Sequence, residues 1–305
     1  MSVFERDVGE WRNLALQGGF GWRTRTLPAC DNQWLRILVT GASSGIGRAT
    51  ALHLAALQHE VVAGVRQLED APTHPPVALD VTDVAQLAAS AEDVGELDGL
   101  VNNAGITLAG PLEYLPLNRL REQLEVNVVG LVATTQAFLP AIRASHGRIV
   151  MMSSIAGRIA VPLLGAYSAS KVAVETISDC LRQELRPWGI SVSIIEPGSF
   201  KSKNRSSTET AVQADREHMS AEGRKRYGSI MDAFARFSAQ TEAKAGPPER
   251  VAAAVERAFT TGRPRARYVV GGDAHVAFSI GKLPASVIDR VLSKTVGITQ
   301  KRADG

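Results

Sequence analysis

Short apolar runs alternate with longer stretches of helical periodicity along most of this chain, and that alternation restricts its fold more than any other feature. Leu35 to Val39, Glu60 to Gly64, Val77 to Leu79, Leu97 to Val101, Arg148 to Ser153, Ile190 to Ile195 and Arg267 to Val270 have the length and apolar character of strands. Helical stretches run from Arg48 to Leu57, Val84 to Val94, about Asn118 to Ser145, Ala166 to Leu185, Pro247 to Thr261 and Pro284 to Val296. A helix between two strands returns the chain across a sheet face, so the strands run parallel and both faces become covered. The expected fold class is α/β, a single doubly wound parallel sheet of about seven strands that receives ligands at the strands' carboxyl ends. From Gln67 to Pro76 the chain is short and proline-rich, which predicts a loop in place of a helix.

The chain has 305 residues and no linker, which suits one large α/β domain at 35–273. Residues 1–34 lack a sustained period and read as an N-terminal extension, and 274–305 as a C-terminal helical tail. A net charge of +3 is too slight to imply nucleic acid. Cys30 and Cys180 are too few for a disulfide framework or a zinc site, which suits a reduced, cytoplasmic setting, and Cys180 reads as a small core hydrophobe. The longest apolar stretches are broken by Asn127, Gln136 and Arg158, so no membrane span is expected.

Chemistry concentrates at strand ends. The first strand runs into Thr40-Gly41-Ala42-Ser43-Ser44-Gly45-Ile46-Gly47 and then a helix. Glycines allow close backbone approach to a pyrophosphate, and a helix N-terminus offers N–H groups and a favourable dipole. At the end of the second strand no carboxylate stands ready for a ribose hydroxyl. Arg66 follows Val65 there and can pair with a 2′-phosphate, to which Ser43 and Ser44 add hydroxyls, unless it is a solvated surface arginine. Asn102-Asn103-Ala104-Gly105 ends the fourth strand with small residues suited to a flat ring, and Asn127 is an amide in an apolar setting. Tyr167 and Lys171 lie four apart on one helix face, where a cation favours phenolate, with Ser154 at a strand end thirteen residues earlier. Taken alone, the pair better fits a surface tyrosine beside a solvated lysine.

In combination these residues resemble the short-chain dehydrogenase/reductase family over roughly Leu35 to Asp273, through Thr40-Gly41-x-x-x-Gly45-x-Gly47, Asp80, Asn102-Asn103-Ala104-Gly105, Asn127, Ser154, Tyr167-x-x-x-Lys171 and Pro197-Gly198. The resemblance implies a Rossmann-type fold and a catalytic set. In it Tyr167 is the acid/base, Ser154 bonds the substrate oxygen, Lys171 holds the nicotinamide ribose and lowers the Tyr167 pKa, and Asn127 anchors a proton-relaying water. It also implies cofactor contacts at Gly41, Ser43, Ser44, Gly45, Ile46, Gly47, Arg66, Asp80, Val81, Asn103, Ala104, Gly105, Tyr167, Lys171, Pro197, Gly198 and Ser202, the last standing where the family has threonine.

Ile194-Ile195-Glu196-Pro197-Gly198-Ser199-Phe200 looks like the branch acting on hydroxysteroids, retinoids and other lipophilic alcohols. The implied cofactor is NADP(H) in preference to NAD(H), and the implied assembly a homodimer or homotetramer. A long insertion at about 199–245 carries Tyr227, Ile230, Met231, Phe234 and Phe237 at helical spacing, and reads as a substrate lid facing Ile155, Ile159, Val161, Leu163 and Leu164. A catalytically silent dinucleotide sensor or scaffold is the alternative, against which the complete set of four residues argues. An epimerase of nucleotide sugars would resemble a different glycine spacing and a larger C-terminal domain.

Overall fold

The protein is described as a computed structural model covering residues 34–201 and 219–298. Ser202, Cys30, residues 1–33 of the extension and the first part of the insertion lie outside these described residues. Seven described strands form one parallel sheet: β1 (Arg36–Thr40), β2 (Glu60–Val65), β3 (Pro76–Ala78), β4 (Gly99–Asn102), β5 (Arg148–Met152), β6 (Ser191–Pro197) and β7 (Arg267–Val270). Their spatial order is β3-β2-β1-β4-β5-β6-β7. Winding reverses between β1 and β4, which opens a crevice at their carboxyl ends.

Two apolar layers flank the sheet, and the alternation of side chains along each strand assigns residues to one or the other. Ile37, Val39, Val61, Ala63, Val150 and Ile195 pack against α1 (Gly45–Ala56) and a later helix, α7 (Glu249–Thr260). Leu38, Val62, Leu100, Ile149, Met151 and Ile194 face the other way. There they meet α2 (Val84–Val94), α4 (Gly130–Ser145) and α5 (Gly165–Glu184). A slip of one residue would exchange these sets, so burial on both faces fixes the register. Arg148, buried at the start of β5, donates through Nη1 to the carbonyls of Ala258 at 2.9 Å and Thr261 at 2.7 Å, tying the strand to the end of α7. Between β2 and β3 stands a loop with a short 3₁₀ turn at Leu68–Asp70, as the prolines there require.

The long helical region has three parts: α3 (Leu117–Leu124), a π turn (Glu125–Val129) and α4. By length and composition the run Leu117–Ser145 is apolar enough to cross a membrane, although isolated polar residues interrupt it in the sequence. Its buried face, including Leu131, Phe138 and Ile142, packs on the sheet. Beyond β6 come α6 (Ala221–Ala243), then α7, and after β7 the tail helices α8 (Gly272–Ile280) and α9 (Ala285–Val296). Cys180 corrects the sequence reading, because it is exposed. Helix α5 buries Val174, Glu175 and Ser178, and Cys180, two residues past Ser178, has rotated away from that face.

Candidate active site

Beyond β1 the chain turns through Gly41 at φ +63° and enters α1 at Gly45 with φ +55°. Such angles favour glycine. A Cβ on Gly47 would stand 2.3 Å from the Gly41 carbonyl oxygen, so side chains are excluded and the backbone curls into a cradle. Ser44 stands at the N-cap in extended backbone but makes no side-chain cap hydrogen bond, leaving the first-turn N–H groups without that acceptor. Ser43, Ser44 and Ile46 are partly exposed along the cradle.

Across the crevice, Asn103 turns inward. Its Nδ2 donates to the carbonyls of Thr40 at 2.9 Å and Gly41 at 3.3 Å. Thr40 Oγ1 accepts from the backbone N–H groups of Asn103 and Ala104, each at 3.0 Å. The Asn103 side chain therefore braces the glycine turn, and the surface suited to a flat ring falls to the backbone around Ala104 and Gly105. Arg66 is exposed just past β2. Thr82 donates its backbone N–H and its hydroxyl to Asp80 Oδ1, at 2.9 and 2.7 Å. That backbone hydrogen bond, with smaller help from the Thr82 hydroxyl and the Arg66 charge, holds the Asp80 carboxyl below its usual range. Val81 is buried against Gly130, where a Cβ would meet its Cγ2 at 2.8 Å.

Helix α5 brings Tyr167 and Lys171 to one face. Lys171 is buried, its Nζ donates to the Met152 carbonyl at 2.8 Å, and it lies 5.8 Å from the centre of the Tyr167 ring. Burial lowers its pKa to about 8 against an opposing pull from Glu175. Ser154 follows β5 as the N-cap of the turn Ile155–Gly157, where its Oγ accepts from Ala156 N–H at 3.2 Å. Asn127, in the π turn, is buried and saturated. Its Oδ1 accepts from Ile106 N–H at 2.8 Å, and its Nδ2 donates to the Ile106 carbonyl at 3.0 Å and to Ser170 Oγ at 3.1 Å. Ser170 donates in turn to the Tyr167 carbonyl at 2.7 Å. The chain Asn127–Ser170–Tyr167 links the π turn to α5, and π turns recur at functional sites. Periodicity alone does not show that turn.

Pro197 ends β6, and Gly198 is held against α8, since a Cβ there would overlap Asp273 Oδ1 at 2.1 Å. Asp273 Oδ2 accepts from Ser199 N–H at 2.7 Å. Sequence reasoning missed this brace, because a single Asp beyond the last strand carries no local signal. Over the strand ends α6 lays Met231 and Phe234 against Ala109, Leu163 and Val296, with Tyr227, Ile230, Phe237, Val161 and Leu164 around them. Ile155 and Ile159, expected in the facing wall, are absent from this described cluster.

A doubly wound parallel sheet with a glycine cradle at its switch point, and a tyrosine–lysine helix beside it, defines a dinucleotide-dependent enzyme. The chain belongs to the short-chain dehydrogenase/reductase family: the short chain dehydrogenase model matches residues 36–213. It is thereby an oxidoreductase acting on CH–OH groups. Mouse retinol dehydrogenase 5 is 35% identical over 291 residues, covering 88% of this chain and 90% of that protein. Bovine 17-beta-hydroxysteroid dehydrogenase type 6 is 36% identical over 281 residues, 85% of this chain and 88% of the relative. An NADPH-dependent 3-dehydrocapnine reductase of Ornithobacterium rhinotracheale is 36% identical over 256 residues, 76% and 87% of the two chains. A crystal structure of a Streptomyces avermitilis short-chain dehydrogenase superposes with TM-score 0.68 at 30% identity, covering 88% of this chain and all of that one. Sequence likeness places the chain in the hydroxysteroid and retinol branch.

Proposed function

We propose that the enzyme interconverts a lipophilic alcohol and its ketone or aldehyde with NADP(H). The observation that carries this reading is the buried Lys171, fixed by Met152 one helical turn from Tyr167. The cradle formed by Gly41, Gly45 and Gly47 fits a pyrophosphate, because the turn packs too closely for side chains at Gly41 and Gly47 and the helix start carries no side-chain cap. Once bound, the nicotinamide cofactor supplies or accepts the hydride. Tyr167 delivers the matching proton from its phenolic oxygen in reduction and takes it from the alcohol in oxidation. Ser154 holds the substrate oxygen through its hydroxyl. Lys171, as a cation, favours phenolate on Tyr167 and can hold the cofactor's ribose. The Asn127 side-chain amide is committed to Ile106 and Ser170, so its role of anchoring a proton-relaying water would fall to its main chain.

The NADP(H) preference rests on Arg66, on the lack of a carboxylate at the end of β2, and on Ser43 and Ser44. One relative is named as NADPH-dependent. The substrate class rests on the apolar cluster under α6 and on the names of the retinol and hydroxysteroid relatives.

Purified protein with NADPH or NADH and a panel of lipophilic ketones, aldehydes and alcohols tests the reading, with Tyr167→Phe beside the wild type. Turnover in the wild type, its loss in Tyr167→Phe and retained nucleotide binding are expected. Substantial activity in the variant would sink the assignment of the acid/base, and binding without turnover across the panel would favour a silent sensor.

A further inference from the structure

Glu175 on α5 and Glu196 on β6 are 5% and 1% exposed and bind the same guanidinium. Arg158 Nη2 stands 3.3 Å from Glu175 Oε2 and 2.6 Å from Glu196 Oε1. From the other side, Arg267 Nε reaches the same two oxygens at 3.1 and 3.6 Å. The other oxygens, Glu175 Oε1 and Glu196 Oε2, are buried and have no hydrogen-bond partner among the described residues. Two carboxylates have only acceptors to offer each other, and a buried acceptor without a donor is costly. The two carboxyls lie within hydrogen-bonding reach of each other, so one proton between them turns unsatisfied acceptors into a donor–acceptor pair.

We propose that Glu175 and Glu196 share one proton, and that the single negative charge left on the pair acts through Lys171, one helical turn away, to keep that lysine charged. Glu175 is thus a positioning residue for the proposed tyrosine–lysine acid/base. The surrounding charges are Lys171, Asp179 and Arg182 on α5, Arg158 after the turn Ile155–Gly157, and Arg267 on β7. Asp179 pairs with Arg267 at 2.7 Å and with Arg182, so part of the Arg267 charge is directed to Asp179. The side chains of Arg158 and Arg267 are 29% and 25% exposed, so water weakens their field at the drier carboxyls. Charge count alone would permit both acids to ionise, and the pair of donorless oxygens decides against it. Burial and then the neighbouring Glu175 raise the Glu196 pKa, which fits the same picture.

Infrared spectroscopy of the wild-type protein at neutral pH tests the shared proton without relying on turnover. A carboxylic-acid carbonyl stretch is expected, lost in both Glu175→Gln and Glu196→Gln. The amide in either variant can donate to the remaining carboxylate, so both should stay folded. Absence of that band in wild type, as when a water bridges two ionised acids, overturns the proposal even if a variant fails to fold. So does a band that survives both substitutions.

The coupling to Lys171 is read kinetically and rests on the functional reading given above. Glu175→Gln should move the alkaline limb of the pH–rate profile to lower pH, because the single negative charge is then confined to Glu196 on β6 and no longer shared with the lysine's own helix. An unmoved limb would reduce Glu175 to a structural role. Failure of the functional reading would show separately, as absent turnover in wild type with the infrared band intact.

Discussion

At the scale of single residues, Lys171 sets function against stability. Its pKa falls from the ordinary 10.5 to about 8, chiefly through burial. At about 1.4 kcal/mol per unit, that is a stability cost on the order of 3 kcal/mol when the lysine is charged. The folded state disfavours the charged form, so the cost is full below about 8 and fades as pH climbs toward the ordinary lysine value. Lys171→Met should therefore abolish turnover yet melt at or above the wild-type temperature at pH near 7, by a margin that narrows toward pH near 10. Calorimetry across that range checks it, and a variant less stable at every pH contradicts it. Arg66→Ala should cut NADPH affinity about tenfold or more while sparing NADH, as one lost charge-assisted contact predicts. Titrating both nucleotides into both proteins measures the ratio, and an unchanged ratio counts against the pairing.

At the scale of elements, what was legible in the sequence depended on local signal. Strand runs such as Ile149 to Met152, and the helix at Tyr167, could be read because buried strands are continuously apolar and helices repeat every turn. The glycine cradle was legible for the same reason, since its constraint acts within a few residues. The π turn at Asn127, the brace from Asp273 to Ser199 and the inward turn of Asn103 were not, because each depends on partners far away in sequence. Exposure of Cys180 likewise depends on which helix face the sheet covers. Helix α6 joins the two cases: its stripe was legible, its seat was not. Phe234 is 3% exposed and lies 6.4 Å from Phe237 within a cluster of its own, separate from both sheet layers. Burial of this degree makes Phe234→Ala costly, about 3 to 5 kcal/mol for a well-packed phenylalanine. The loss should stay local, loosening α6 and the contact with Val296 while the strands keep their protection. Hydrogen exchange followed by mass spectrometry should show faster exchange across Ala221–Ala243 alone, with KM raised more for bulky than for small substrates. Faster exchange in β5 or β6 would instead make Phe234 part of the central core.

At the scale of the whole molecule, the helices that carry the candidate catalytic residues also reach solvent. Val129, in the π turn with Asn127, is 49% exposed, and Val172, next to Lys171, is 50% exposed. These elements neighbour one another: Asn127 bonds Ser170 across the join, so the two valines stand on adjoining helices rather than on opposite sides of the fold. Leu117, at the start of α3, adds a third apolar side chain at 64% exposed. Scattered exposed valines are ordinary, but apolar residues on neighbouring helices invite self-association, and a two-fold axis lets one such surface meet its own copy. The chain is therefore expected to form a homodimer, or a homotetramer by a second contact, with these helices at the interface. Sedimentation at micromolar concentration should give at least twice the 32.5 kDa of one chain. Val172→Asp should shift the species toward monomer, because a carboxylate desolvated against its symmetry mate is unpaired and repelled. The consequence reaches the chemistry, since loosening this helix pair strains the Asn127–Ser170–Tyr167 link. Turnover per chain should then fall on dilution as dimers dissociate. A wild-type chain that sediments as a monomer with undiminished turnover would remove this interface from the account.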